Sequence, residues 1–235
     1  MSIRTVEFWP VYKHLEKEVL ELSYSVQFND QHLNVYSLKI AELFLRCVTE
    51  IESISQTICR EELIEMKNQP NFHSHILPKL TKKWGVDKKV VCFSCQEAVY
   101  IAHIQLKPFE KGIAKRWWQD YNAIKHDRAK NMEVANLNNL FNALAGLYLL
   151  NVYLMDITFS QSEVSRDYNG NFELISMGSN MFAILITDCY FYWQMKEQKR
   201  NFDMEDQAVY LLVFEKGAPI GVLNKNQFIE EKGNQ

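Results

Sequence analysis

Ile40-Ala41-Glu42-Leu43-Phe44-Leu45-Arg46-Cys47-Val48-Thr49-Glu50-Ile51-Glu52-Ser53-Ile54-Ser55-Gln56-Thr57-Ile58 is the stretch on which the fold turns. Ile40, Phe44, Cys47, Ile51, Ile54 and Ile58 follow one another at intervals of three and four. That spacing draws one apolar stripe along a helix. Neither Gly nor Pro interrupts it, so the pattern predicts a long helix from Leu33 to about Met66. Asn29 or Asp30 can cap its start, and Pro70 bars its continuation. The stripe needs a partner helix, in the same chain or a second one.

Working outward, helices and strands divide the chain. Val90–Phe93 and Tyr100–Leu106 are rich in β-branched and aromatic residues and predict a small hairpin. After Pro108 a second helix is expected from Glu110 to Lys125, burying Ile113, Trp117, Tyr121 and Ile124. A third, about Val134 to Ile157, buries Leu137, Phe141, Leu144, Tyr148 and Leu154. Pro78 reads as the close of an apolar stretch at Ile76 and Leu77. Beyond Thr158 the pattern turns to strands: Val164–Tyr168, Phe172–Ile175, Phe182–Ile186, Tyr190–Trp193, Val209–Phe214 and Ile220–Leu223. Asn169-Gly170 is a type I′ turn signal, and Gly217-Ala218-Pro219 a second turn. The expected fold is therefore α+β. A helical part, 1–157, carries the hairpin as an insertion, and a β-rich segment, 158–235, packs against it.

Composition narrows the class. The chain has 235 residues, 47% of them apolar and 23% charged, with only 8 Gly and 5 Pro. Those values exclude a disordered or linker-dominated protein. Five cysteines are an odd number in a chain large enough to fold without disulfides, so they are read as reduced thiols in a cytoplasmic protein. The first eight residues contain no apolar signal core. The apolar run Ala143–Met155 is too short to span a bilayer, so no membrane association is expected.

Charge is unevenly spread. The chain totals −3, yet Lys107 to Lys130 holds seven bases against three acids, a net of +4. Glu42 to Glu65 holds six acids and two bases. A local basic segment on an acidic chain is a candidate anion site, or else a solvated helix face. Within it, Asn122 and His126 lie four apart, on one helix face, with Trp118 one turn before and Lys115 near the same line. An imidazole titrates near neutrality and can pass a proton. Lys and Arg can neutralise a phosphate, and Trp118 can stack on a base or face a dimer partner. Cys92-Phe93-Ser94-Cys95 has metal-pair spacing, with His73, His75 and His103 the only nearby partners. A single CxxC is a weak signal, and buried thiols are the plainer reading. No phosphate-loop, dinucleotide or zincin motif occurs, and no cofactor or metal is expected.

The run Trp118-Gln119-Asp120-Tyr121-Asn122-Ala123-Ile124-Lys125-His126-Asp127-Arg128 resembles a motif of bacterial HEPN-type helical domains. These occur in abortive-infection proteins, toxin–antitoxin modules and CRISPR-associated ribonucleases. The resemblance covers about residues 30–157 and leaves the β-rich segment aside. It implies metal-independent RNA cleavage at a homodimer interface, where the ribose 2′-OH attacks the adjacent phosphate. Carried over, His126 becomes general acid or base and Asn122 its orienter. Lys125 or Arg128 becomes the phosphate clamp, with Lys115, Arg116 and Trp118 binding RNA. The family places Arg directly before the Asn; here Tyr121 stands there, and a phenol supplies no fixed positive charge. The alternative is a non-catalytic, antitoxin-like interaction module, in which a cognate toxin or antitoxin protein is the partner.

Overall fold

The computed structural model describes residues 3–66, 68–98, 100–102, 104–155, 173–188, 207–215 and 218–223. Among the described residues five α-helices and six strands make an α+β fold. The helices are α1 (Ile3–Glu21), α2 (Leu38–Glu61), α3 (Leu77–Trp84), α4 (Lys111–His126) and α5 (Leu137–Met155). The strands are β1 (Val91–Phe93), β2 (Gln105–Leu106), β3 (Glu173–Ile175), β4 (Phe182–Asp188), β5 (Tyr210–Glu215) and β6 (Ala218–Leu223). The expected strands Val164–Tyr168 and Tyr190–Trp193, and the turn at Asn169-Gly170, lie outside the described residues.

The centre is α5. From Asn139 to Leu154 every residue is buried, which explains why this helix reads as apolar on all sides. Asn151 sits in that interior because its Nδ2 donates to the Leu147 carbonyl, 2.9 Å away. The stripe on α2 meets α5, and α1 packs on α5 from another side. Gly146 lets neighbouring side chains pack close to α5. A Cβ there would lie 3.0 Å from the Phe109 ring and 3.5 Å from Ile51.

Helix boundaries differ from those expected, each for a local reason. The cap of α2 is Ser37, whose hydroxyl accepts from the Ile40 N–H at 3.2 Å. Asn29 instead caps the short turn Asp30–His32. At its other end α2 stops at Glu61, well before Pro70. Leu63 adopts a left-handed φ of 52°. The Leu63 N–H then reaches the Arg60 carbonyl and the Ile64 N–H the Cys59 carbonyl. This is a Schellman closure built on leucine. Pro78 does not close a segment but opens α3 in its first turn, where its missing N–H costs nothing. Gly85, at φ 62°, ends it. Helix α1 was not among the expected elements, and it runs through Pro10.

One sheet joins the two halves of the chain. Its order is β2-β1-β4-β5-β6, with β3 on the other edge of β4. The predicted hairpin is present but shorter, with Val91 opposite Leu106. Tyr100 makes only an isolated bridge to Asn29. β1 and β4 run antiparallel, with Phe93 opposite Phe182, while β4 and β5 run parallel. Thus the β-rich segment extends the hairpin of the helical part. Pro219 lies inside β6, not in the expected turn; β6 is outermost among the described strands, where a missing N–H is tolerated. Val91 and Phe93 face the main core, whereas Val90 and Cys92 cluster with Leu185 and Ala208.

Candidate functional site on helix α4

Helix α4 is held by an aromatic wall. Ala114, Trp117, Trp118, Tyr121 and Ile124 are buried, and Trp117 Nε1 donates to the Pro108 carbonyl at 2.9 Å. Phe72, from the π-helical turn Phe72–Ile76 before α3, stacks on Trp117 and lies 5.5 Å from the Trp118 ring. Trp118 is therefore part of the core at 6% exposure. It presents no open ring for stacking, contrary to expectation. The i,i+4 logic failed because Trp118 lies on the flank of the exposed stripe, and its apolar area decided its side.

The opposite face is open. Lys111, Lys115 and His126 are exposed and Asn122 is half-buried. His126 is the last residue of α4, with Asp127 as its C-cap, so Arg128 falls beyond the helix. On a continuing helix two residues would set Arg128 about 200° round from His126, and the end of α4 removes that constraint. Asn131 closes this end, its Nδ2 donating to the Asp127 carbonyl at 2.7 Å. Lys125 and His126 in the last turn also suit the negative end of the helix dipole.

Two expected roles are not formed. Asn122 does not orient His126: its Nδ2 donates to the Trp118 carbonyl at 2.7 Å, one turn back. Lys125 is not a free clamp, since its Nζ lies 3.3 Å from the Tyr121 hydroxyl and 5.2 Å from that ring. Tyr121 is itself buried. Its hydroxyl donates to Glu52 Oε2 on α2 at 2.9 Å. Burial, then the Glu52 contact, pushes the phenol above its usual range, so it stays neutral. Lys115, Arg116 and Arg128 remain exposed. Along an ideal helix Lys115 shares His126's face but lies about 16 Å from it, and Arg116 lies about 15 Å away and about 80° round the axis.

Two further features surround this face. His73, weighed only as a zinc ligand, is half-buried beside Lys115; burial, then the Lys115 charge, lowers its pKa. Glu52 lies next to the α2 stripe, and nothing in its spacing announced the bond to Tyr121. Among the described residues no group of three His, Cys, Asp or Glu side chains converges for a metal. Cys92 and Cys95 are free thiols whose pKa values burial pushes up to about 11. His75 Nδ1 accepts from the Asn71 N–H, and His103 lies outside the described residues. No described helix is long and apolar enough to cross a membrane. The chain matches no protein-family model, no curated protein and no solved structure.

Proposed function

We propose that the protein is a HEPN-like, RNA-directed protein of a bacterial defence or toxin–antitoxin system, acting in the cytoplasm as a metal-independent endoribonuclease. One observation carries the reading: His126 is an exposed imidazole at the end of α4, with Arg128 just past the cap and Lys115 on its helix face. His126 takes the proton of a ribose 2′-OH, whose oxygen attacks the neighbouring phosphorus. The bond to the 5′-oxygen breaks, that oxygen takes a proton from water, and the proton on His126 returns to the solvent. The products are a 2′,3′-cyclic phosphate and a 5′-hydroxyl. Arg128, from this chain or a second copy in a homodimer, holds the charge that builds on the phosphate.

Incubation with a mixed RNA pool in EDTA tests this. Wild type should cleave and leave cyclic phosphate ends. His126→Ala should lose at least 100-fold in rate, the lower range for a general acid or base, at unchanged melting temperature. A variant that cleaves like wild type would sink the assignment.

A second reading has its own observation. Tyr121 is buried and tied to Glu52, so the family's cation position serves the packing of α2 on α4. On this reading the helical bundle is a non-catalytic module that binds a cognate toxin or antitoxin protein, and wild type leaves RNA intact.

A further inference from the structure

Two cavities flank the N-terminal end of α5, and Asn138 lines both. The first, of about 340 Å³, has apolar walls: Leu33, Phe93, Ile101, Leu106 and Phe141. Phe93 and Phe141 meet edge to face there, their centroids 5.3 Å apart. Asp30, Gln105 and Asn138 add its polar groups. The second, of about 440 Å³, lies between the first turns of α4 and α5. Each volume falls in the range of small-molecule pockets.

The second cavity carries matched sets of donors and acceptors. Glu110 is the N-cap residue of α4, yet its side chain makes no capping bond. The first-turn N–H groups at Gly112 and Ile113, on the cavity wall, therefore have no side-chain acceptor. Arg116 follows one turn later and forms no ion pair within 4 Å among the described residues; Asp120, which feels its charge, is hydrogen-bonded to Asn139. On the α5 side Asn142 is only 5% exposed. Its Nδ2 donates to the Asn138 carbonyl at 2.8 Å, and its buried Oδ1 has no partner. The N-terminus of α5 adds no free donors. Leu137 N–H and Asn138 N–H reach the Val35 and Leu33 carbonyls, and Asn139 N–H reaches Asn136 Oδ1.

We propose that the two cavities together bind one nucleoside monophosphate unit, base in the apolar cavity and ribose phosphate in the polar one. The phosphate sits at the α4 N-terminus against Arg116. Ribose hydroxyls donate to Asn142 Oδ1 and to Glu110, the kind of acceptor that reads a ribose elsewhere. The half-buried Asn138 side chain, whose Oδ1 is 3.3 Å from Asn142 Nδ2, lines the cavity beside it. A bare anion would leave Asn142 Oδ1 and Glu110 unmatched, and a hydrocarbon would leave Arg116 unmatched. The site does not use His126, and it rests on the RNA reading only if the nucleotide belongs to RNA.

Calorimetric titration of the full chain with the four 5′-mononucleotides and with ribose 5-phosphate tests the site. At least one nucleotide should bind tenfold or more tightly than ribose 5-phosphate. Gly112→Leu and Arg116→Ala should each weaken it tenfold or more. A Cβ at Gly112 meets no atom within 4 Å, so the leucine grows into the cavity and the melting temperature should hold. His126→Ala should bind the nucleotide as wild type does. Failure of every nucleotide to bind, or Gly112→Leu binding like wild type, overturns the proposal. A ribo-oligonucleotide arm assigns the source. RNA binding lost in Gly112→Leu places the nucleotide in RNA, and RNA binding retained there makes it a free nucleotide. Wild type that binds a mononucleotide but neither binds nor cleaves RNA upholds this site and removes the ribonuclease reading.

Discussion

Glu16 shows how one residue fastens the N-terminal helix to the sheet. It is 1% exposed, and burial alone would raise its pKa. Hydrogen bonds from Lys13, Ser179 and Tyr12, and from the Met181 N–H, outweigh that and hold the carboxyl below its ordinary value of 4.5. Tyr12 donates to it at 2.8 Å and the Asn180 N–H at 2.9 Å, while Lys13 also reaches the Gly178 carbonyl. The charge is thus surrounded by donors from α1 and from the turn before β4. Because the folded pKa is depressed, the stabilisation is complete above the unfolded value and fades as pH falls through the folded one. Glu16→Gln should cost about 1–3 kcal/mol at pH 7, since the amide cannot accept all these donors. The difference between variant and wild type should shrink as pH drops below 4.5. Melting curves across pH 2–7 read this; a constant gap at all pH values would place the effect in packing and not in the charge.

At the scale of the element, what the sequence made legible was periodicity, and what it hid was termination. The stripe on α2, the second helix and the apolar α5 could all be read because burial imposes a spacing on residue type. The end of α2 could not, because it rests on one leucine in a conformation that glycine usually supplies. Leu63 is 93% exposed, so no packing rewards its side chain. Leu63→Gly should therefore stabilise the fold by about 1 kcal/mol, raising the melting temperature by roughly 2–4 °C. A lower melting temperature would show that the left-handed turn is not strained. The same limit applies to the candidate site. Asn122 and His126 were rightly placed on one helix, but their spacing could not show that the Asn122 amide turns back to Trp118. Nor could the spacing on α4 reveal Glu52, since a contact between helices depends on how α2 and α4 pack. The sheet was half legible for a similar reason. Its strands announced themselves by composition, but the parallel pairing of β4 with β5 joins segments whose order no local signal records.

For the molecule as a whole, charge separates the two functional readings. The chain carries −3, so bulk attraction cannot bring it to RNA. On the RNA reading the affinity comes from the basic segment around α4, where Lys115 and Arg128 are exposed. Each phosphate neutralised on single-stranded RNA contributes about −0.7 to the slope of log K against log salt. Lys115→Ala and Arg128→Ala should each reduce the magnitude of that slope by about 0.7 and weaken binding most at low salt. Lys17 is an exposed lysine on α1, outside the basic segment, and Lys17→Ala should leave the slope unchanged. Fluorescence anisotropy between about 50 and 200 mM salt resolves these differences. Equal slopes for all three variants would mean that the α4 face does not hold RNA, and the partner would then be sought among proteins. A reduced slope in Lys115→Ala and Arg128→Ala alone would place the RNA path along the basic segment that holds His126. Cleavage lost in His126→Ala at an unchanged slope would then separate the chemistry from the grip.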